Sequence, residues 1–449
     1  MRPHYAAPPT IPDTLMDVTD TRAPAAQRWR APVASDPVNA SVALPGSKSM
    51  MSRALVLTAA SVGASSLASP LHARDTRLMV AALQAMGTRV VTADDALWLV
   101  HPRPLRGPAQ IDCGLAGTVM RFLPPLAATG TGAITFDGDP HARTRPMAPL
   151  LGALEDLGVS VERDGGQGLP FTVTGVGRVT GGEVTLDASR SSQFISGLLL
   201  AAPEFDRGIV VRHEGPPVPS APHVRMTVDM LRAAGAAVDD SRRDVWEVEP
   251  GRLTGRAWHI EPDLSNAAPF LAAALLTGGT TVVPGWPYHT SQPGDLLRDV
   301  LVEFGGRIAL TDEGLTVRGT GRIKGIDIDL SEAGELTPVI AAVCALAETP
   351  STLRGIAHLR GHETDRLAAL AAEINKLGGD VTETDDGLRI RPRTLRGGLF
   401  DTYDDHRMAQ AAAVIGLSVP DVELSDVACT SKTLPDFPHM WDELLGTSS

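Results

Sequence analysis

The chain has 449 residues, of which 53 are acidic and 40 basic, so its formal net charge is -13 at pH 7. This length predicts two or more domains, and the acidic balance argues against a nucleic acid or an anionic membrane as the main partner. The three cysteines are far apart, show no metal-ligand spacing, and favour a protein of the reducing cytoplasm.

The first segment of the chain, residues 1–30, is rich in Pro, Ala, Thr and Asp and lacks the apolar run of a signal peptide. We expect it to be a disordered or loosely attached tail. The most apolar stretch, residues 336–347, is about a dozen residues long and falls short of the roughly 20 that span a bilayer. The sequence therefore predicts no membrane partner.

One unit recurs along the rest of the chain at intervals of roughly 70 residues. In each unit an apolar helical stretch ends at a glycine: Gly87, Gly158, Gly235, Gly305, Gly378 and Gly446. A glycine at that place predicts a helix C-terminus that needs positive φ, and a strand-like run follows the first five. The alternative is an ordinary α/β protein whose helices resemble one another by chance, which the regular spacing disfavours.

Each unit also begins alike, with a polar loop followed by a helix of small apolar residues, such as "SRALVLTAA" or "SNAAPFLAAALL". Six such units predict an α/β protein with two domains of three units each. We expect one domain at residues 45–260 and the other at residues 31–44 plus 261–449. Ligand sites favour the cleft between two such domains.

The loops that precede these helices carry hydroxyls, glycines and cations. In chain order they contain Lys48, Ser49, Arg53, Gly117, Thr118, Arg121, Arg143, Arg145, Ser191, Ser192, Gln193, Glu335, Arg360, His362, Glu363, Arg366, His406, Arg407 and Lys432. Helix N-termini and arginines both favour anions, so the cleft is predicted to bind small, multiply anionic substrates.

Taken singly, these residues have ordinary structural explanations. Arg53 and Arg121 could be solvated helix-surface cations, "SSQF" a helix cap, and "HETDR" an exposed helix start. Their clustering at equivalent places in six repeats favours a binding site instead. The histidines show no HExxH or similar pattern, so no metal is predicted. Cys113 is expected to be a buried apolar residue rather than a nucleophile.

The motifs "LPGSKS..SRAL", "AGT.MR", "RP", "SSQF", "ETDRL", "DHRMA" and "KT.PDF" occur in this order between about residues 43 and 446. In these motifs the chain resembles the 5-enolpyruvylshikimate-3-phosphate synthase family. The resemblance implies two domains, each of three βαββαβ units, that close on the substrates. It also implies transfer of the enolpyruvyl group of phosphoenolpyruvate to the 5-hydroxyl of shikimate 3-phosphate, with no cofactor or metal and with glyphosate as an inhibitor.

The resemblance also implies roles for individual residues. Lys48, Glu335 and Glu363 would be catalytic, Glu335 as the base toward the hydroxyl and Glu363 as the proton donor. Shikimate 3-phosphate would contact Lys48, Ser49, Arg53, Ser191, Ser192, Gln193, Ser220, Glu335 and His362. Phosphoenolpyruvate would contact Lys48, Gly117, Arg145, Arg366, Arg407 and Lys432. We expect a monomeric cytoplasmic enzyme.

The sequence departs from the family pattern at several of these places. Ser52 stands where Asn is common, Glu335 where Asp is frequent, His362 where Lys is frequent, and His223 where Tyr is common. Three other functions stay open. They are a duplicated transferase with an altered substrate or inhibitor tolerance, a UDP-N-acetylglucosamine enolpyruvyl transferase, and a non-catalytic anion-binding relative. The second generally carries a cysteine before its "RP" loop, and "GDPHARTRP" has none.

Overall fold

The computed structural model describes residues 26–92 and 95–447. Its helices come in pairs, one pair for each predicted unit. They are α1 (Lys48–Ala59), α2 (Arg74–Ala85), α3 (Gly117–Ala128), α4 (Ala148–Asp156), α5 (Gln193–Ala201), α6 (Pro222–Ala233), α7 (Ala268–Thr277), α8 (Leu297–Glu303), α9 (Thr337–Ala345), α10 (Arg366–Lys376), α11 (His406–Gly416) and α12 (Phe437–Leu445).

Three four-stranded sheets form one half of the molecule, together with the short pair β3 (Ser61–Val62) and β15 (Leu253–Thr254). Their strands are β4 (Ser65–Ala68), β5 (Arg89–Val91), β6 (Leu97–His101), β7 (Ala109–Asp112), β8 (Thr131–Asp137), β9 (Ser160–Arg163), β10 (Phe171–Val176), β11 (Gly182–Leu186), β12 (Ile209–His213), β13 (Val238–Asp239), β14 (Val245–Val248) and β16 (Ala257–His259). The strand orders are β16-β4-β6-β5, β7-β8-β10-β9 and β11-β12-β14-β13.

The other half contains two four-stranded sheets and one three-stranded sheet. Its strands are β1 (Trp29–Arg30), β2 (Asn39–Ser41), β17 (Thr280–Val283), β18 (Arg307–Thr311), β19 (Gly314–Arg318), β20 (Asp327–Asp329), β21 (Ser351–Arg354), β22 (Asp380–Glu383), β23 (Leu388–Arg391), β24 (Gly398–Phe400) and β25 (Val422–Leu424). The orders are β18-β19-β17-β2, β20-β21-β23-β22 and β1-β25-β24.

The α/β class is as predicted, but the order of elements within a unit differs from βαββαβ. The second unit runs β7, α3, β8, α4, β9, β10, which is βαβαββ, and the fifth unit repeats this order. The reason is the strand direction. β7 and β8 are parallel and need a helical crossover, whereas β9 and β10 are antiparallel and need only a short turn.

The predicted helix-ending glycines are confirmed, because all six have positive φ and follow α2, α4, α6, α8, α10 and α12. The other helix of each unit is apolar around most of its circumference and lies inside the protein, as such helices do. Every residue of α3 is buried, and so is every residue of α11. The polar residues at the N-termini of these central helices therefore lie at the ends of rigid, fully packed elements.

The buried apolar side chains form two clusters, one between residues 51 and 260, the other combining residues 31–42 with residues 264–444. We call residues 46–260 the first lobe and the remaining described residues the second lobe. The N-terminal segment belongs with the second lobe because β2 pairs with β17. We propose that the predicted domain boundaries follow this division of the core.

The chain passes between the lobes twice, at neighbouring places. Gly46 and Pro262 form an isolated antiparallel bridge, and the Ser47 N–H donates to the Glu261 carbonyl at 2.7 Å. The predicted tail lies mostly outside the described residues, but its last two residues form β1 and pair with β25. No helix in the described ranges is long and apolar enough to cross a membrane.

Candidate active site

A cavity of about 130 Å³ lies between the lobes, at the N-termini of the central helices. From the first lobe it is lined by Lys48, Ser49, Thr118, Arg121, Arg145, Arg190, Ser191, Ser192, Gln193, Pro219, Ser220 and His223. From the second lobe it is lined by Asp263, Ser265, Glu335, His358, Gly361, His362, Glu363, Arg366, His406 and Arg407. Of the predicted site residues, Arg53, Gly117 and Lys432 lie behind this lining. The predicted loop cations Arg143 and Arg360 are not part of it, and they pair with acidic side chains instead: Asp137 for Arg143, and Asp365 and Glu383 for Arg360.

Lys48 connects the two lobes at the start of α1. Its backbone N–H donates to Asp263 Oδ2 at 3.1 Å, and its Nζ lies 3.3 Å from Asp75 Oδ2. Asp75 is only 1% exposed, so this carboxylate faces the Lys48 ammonium inside the protein. The sequence reasoning missed both acids. Asp263 had a signal, because it caps the first helical turn of the fourth unit much as Ser47 caps the first.

Arg53 lies within the first lobe rather than at the cavity surface. Its guanidinium donates to Thr227 Oγ1 at 2.8 Å and to the carbonyls of Ser49 and His223, each at 2.9 Å. Burial lowers the pKa of Arg53 to about 9. Arg53 is 2% exposed and does not line the cavity, and its contact with shikimate 3-phosphate stays a prediction. Instead, Arg53 holds in place two residues that do line the cavity.

Ser52, the departure from the family pattern beside Arg53, is also buried. Its hydroxyl donates to Thr118 Oγ1 at 3.2 Å, and Thr118 lines the cavity. Ser52 therefore links α1 to the start of α3 and does not itself reach the cavity surface. Its effect on a substrate would be transmitted through the position of Thr118.

Two guanidinium groups approach each other at the start of α3. Arg121 Nη1 donates to Gln193 Oε1 at 2.8 Å, and Arg145 Nη1 donates to the Leu115 carbonyl at 3.0 Å. Burial lowers the pKa of Arg121 well below its usual value, and the charge of Arg145 lowers it further. Two cations in one buried wall favour a bound anion that would relieve their repulsion.

Gly117 separates these two guanidinium groups. A Cβ at this position would lie 2.8 Å from Arg121 Nη1 and 2.9 Å from Arg145 Nη2, so any side chain would displace one of them. The expected result for Gly117→Ala is a KM for the anionic substrate about tenfold higher, because overpacking commonly costs about 1–3 kcal/mol. Steady-state kinetics would measure it.

Gly152→Ala is the matched control for that substitution. Gly152 lies within α4, and a Cβ there would meet no atom within 4 Å. We expect its kinetics to equal those of the unmodified protein. A Gly117→Ala protein with an unchanged KM would show that the two arginines move aside at no cost.

In the second lobe, Glu363 lies among cations. Its carboxylate accepts from Lys432 Nζ at 2.6 Å and from Arg366 Nη2 at 2.9 Å. Burial raises the pKa of Glu363, but the charges of Lys432, Arg366 and Arg145 outweigh it and hold the pKa well below its usual value. Arg366 is also held by Asp405, which accepts from its Nε at 2.7 Å.

Glu335 faces the first lobe, where His223 Nε2 lies 3.5 Å from its Oε1. Burial raises the pKa of Glu335, yet the hydrogen bond and charge of His223 lower it, and the net pKa lies below the usual value. In the same cavity wall, burial lowers the pKa of His358 to about 4. Glu335 is therefore ionised at neutral pH, and His358 is uncharged.

The other two histidines of the second-lobe wall are also uncharged at neutral pH. Burial, followed by the charge of Arg366, lowers the pKa of His362 well below its usual value. Burial and the charge of Arg407 do the same to the pKa of His406. The sequence reasoning named His362 but not His358 as a site residue, since a lone histidine in a loop carries no signal of its own.

The described residues include no group of three or more His, Cys, Asp and Glu side chains that could hold a metal ion. The cavity presents hydroxyls and an amide on the first lobe, arginines on both lobes, Lys48 on the first, and the carboxylates of Glu335 and Glu363 on the second. This arrangement is chemically suited to a small acceptor with hydroxyl groups beside a small anion that undergoes proton transfer.

Over most of its length the chain is similar to proteins of one known family. Residues 33–441 match the profile of the family described as EPSP synthase, or 3-phosphoshikimate 1-carboxyvinyltransferase. A relative from Kocuria rhizophila, named 3-phosphoshikimate 1-carboxyvinyltransferase, is 56% identical over 432 residues, which cover 93% of this chain and 97% of the relative.

The fold resembles two solved structures of EPSP synthase from Acinetobacter baumannii. Each has a TM-score of 0.75, with 23% and 22% sequence identity, and each alignment covers 93% of this chain and 98% of the other. At this identity the structures support the fold alone, whereas the profile match and the Kocuria relative extend over nearly the whole sequence. The chain therefore belongs to the EPSP synthase family.

Proposed function

We propose that this protein transfers the enolpyruvyl group of phosphoenolpyruvate to the 5-hydroxyl of shikimate 3-phosphate and releases phosphate, a step of chorismate and aromatic amino-acid biosynthesis. The observation that carries the proposal is the composition of the cavity. Its first-lobe wall has serine hydroxyls and the Gln193 amide, while Glu335 and Glu363 face it among cations from the second lobe.

The two substrates would occupy different parts of the cavity. Ser191, Ser192, Gln193 and Ser220 suit the hydroxylated ring and phosphate of shikimate 3-phosphate. Arg145, Arg366 and Arg407 would bind the carboxylate and phosphate of phosphoenolpyruvate, with Gly117 and Lys432 behind them. Lys48, at the junction of the lobes, would contact both anions.

In the first step, the oxygen of the 5-hydroxyl attacks C2 of phosphoenolpyruvate, and Glu335 accepts the proton of that hydroxyl. C3 takes up a proton from Glu363, and a tetrahedral intermediate results. Because its lowered pKa keeps Glu363 ionised, it must first receive a proton. The Lys432 ammonium, which donates to Glu363 Oε1 at 2.6 Å, would supply that proton. A bound trianionic substrate beside Glu363 would raise the pKa of this carboxyl and so favour its protonated form.

In the second step, the C2–O bond to phosphate breaks and C3 returns its proton to Glu363, which leaves the enolpyruvyl ether. The departing phosphate carries the bonding electron pair and takes up one proton, which balances the proton that the 5-hydroxyl gave to Glu335, and Lys48 stabilises the charge of the leaving group. The cavity volume of about 130 Å³ is small beside the roughly 300–1,000 Å³ of typical ligand pockets. We therefore propose that the lobes separate to admit the substrates and close to exclude water.

The test is phosphate release by purified protein given both substrates, with each omitted in turn. The expected result is release that requires both, together with an enolpyruvyl product identified by mass. Replacing shikimate 3-phosphate with UDP-N-acetylglucosamine tests the rival acceptor. Calorimetric binding of either anion without turnover would instead support a non-catalytic relative. We also propose a monomer in the cytoplasm, which sedimentation and cell fractionation would check.

The contact between His223 and Glu335 predicts a change in pH dependence. Glu335 must be ionised to accept a proton, so activity falls as the pH drops through its pKa. In His223→Ala, the hydrogen bond and the charge of His223, which lower this pKa most, are lost, whereas burial, which raises it, and the smaller lowering by the charge of Arg407 remain. The acid limb of the kcat/KM profile should therefore move to higher pH. The exposed His289 provides a control, since His289→Ala should leave the profile unchanged. An unmoved acid limb in His223→Ala would assign that limb to another group.

A further inference from the structure

Arg190 is the cavity cation that the predicted site did not include. It lies in the loop before α5, directly before Ser191 and Ser192, and its side chain lines the cavity. Across the cleft it approaches the second lobe, where its Nη2 lies 3.8 Å from the position that a Cβ on Gly361 would occupy. Arg190 therefore spans the end of the cavity that the serines line.

The other cavity cations are already bound to groups of the protein. The partners are Asp75 for Lys48, Gln193 for Arg121, the Leu115 carbonyl for Arg145, Asp405 for Arg366 and the Ser265 carbonyl for Arg407. Arg190 differs, because among the described residues its guanidinium has neither an ion pair nor a hydrogen-bond acceptor. Asp187, three residues before it, accepts from the Ser189 N–H at 2.8 Å, and the charge of Arg190 contributes to its lowered pKa without forming an ion pair with it.

At this end of the opposite wall His362 supplies a hydrogen-bond donor, and the cation beside it, Arg366, is already paired with Asp405 and Glu363. Arg366 Nη1 lies 3.3 Å from His362 Nδ1, and since arginine only donates, Nδ1 is the acceptor and Nε2 carries the proton. His362 is uncharged at neutral pH because burial and Arg366 lower its pKa. A doubly charged phosphate at this end needs a cation, and the five donors of Arg190 are available to it.

We infer that Arg190 binds the phosphate of shikimate 3-phosphate by bidentate hydrogen bonds, and that it is the residue by which this protein distinguishes the phosphorylated acceptor from its unphosphorylated form. The inference rests on the proposed function. Ser191, Ser192 and the Nε2 of His362 would complete the phosphate site. Because Arg190 belongs to the first lobe and the Gly361 loop to the second, the bound phosphate would also lie between the lobes.

The test compares Arg190→Ala and Arg190→Lys with the unmodified protein, using shikimate 3-phosphate as substrate and shikimate as a competitive inhibitor against it. In Arg190→Ala we expect kcat/KM for shikimate 3-phosphate to fall by roughly 10- to 150-fold, as for the loss of charge-assisted hydrogen bonds from one guanidinium group. The Ki of shikimate and the KM of phosphoenolpyruvate should each change less than about threefold. Shikimate lacks the phosphate that Arg190 would bind, and phosphoenolpyruvate would bind elsewhere in the cavity. Arg190→Lys should recover part of the loss.

Arg178→Ala is the matched control, because Arg178 is an exposed first-lobe arginine paired with Asp206 at 3.3 Å and should leave all three values unchanged. An equal rise in the Ki of shikimate, or unaltered kinetics with shikimate 3-phosphate, would overturn the inference. If the unmodified protein showed no turnover, the proposed reaction would fail. Calorimetric binding of shikimate 3-phosphate to the unmodified protein and Arg190→Ala would still test the phosphate contact.

Discussion

Replacing Lys48 with alanine is expected to lower kcat by about 10²- to 10³-fold, because the loss of a preorganised charge at a departing anion typically costs two to three orders of magnitude. Lys48 is fixed from both lobes, by Asp263 at its backbone and by Asp75 at its ammonium. This double attachment places the ammonium where the two substrates would meet. Stopped-flow and steady-state measurements of phosphate release would report the change.

Folding must be followed in the same experiment, because Lys48→Ala leaves Asp75 buried without its counter-charge. We expect a loss of about 1–3 kcal/mol in the free energy of unfolding, which a two-domain protein of this size can sustain. Lys324→Ala is the control, since Lys324 is one of the few lysines of the chain and lies exposed, away from the cavity. A folded Lys48→Ala protein with near-normal turnover would remove Lys48 from the mechanism.

The second large effect is expected for Glu363→Gln. The amide cannot deliver or recover the proton at C3, so kcat should fall by about 10³-fold, within the range usual for loss of a general acid–base group. The shape of the side chain is kept, and Arg366 keeps its bonds to Asp405. Binding of phosphoenolpyruvate should therefore weaken much less than turnover, and the KM separates the two effects.

The proton relay from Lys432 makes this prediction sharper. If Lys432 supplies the proton of Glu363, then Lys432→Met and Glu363→Gln should be strongly non-additive, with the double variant hardly slower than the slower single variant. Glu303→Gln, an exposed position on α8, provides the control for a Glu-to-Gln change. Additive losses in the double variant would indicate that Lys432 and Glu363 act in separate steps.

The sequence predicted those features of the fold that depend on a residue and its neighbours along the chain. Each helix-ending glycine reports a requirement for positive φ at its own position, so the six units can be counted from the sequence alone. The burial of the central helices could likewise be predicted, because their sequences are apolar around most of the helix circumference. The order βαβαββ was not readable in this way, because whether two strands pair in parallel or antiparallel depends on elements distant in the chain.

The same distinction applies to the candidate site: its loop residues could be predicted from the sequence, but the contacts between them could not. Loop residues such as Ser191, Glu335 and Glu363 could be named from the sequence, since their motifs lie at the starts of predicted helices. The inward position of Arg53 could not, because it depends on how α1 packs against Thr227 in α6. The partners of Lys48 and Glu335 also come from the other lobe, Asp263 and His223. Sequence by itself therefore determined the repeat, the family motifs and the anionic character of the ligands. Only the tertiary structure decided which charges face one another, because packing between distant segments sets those distances.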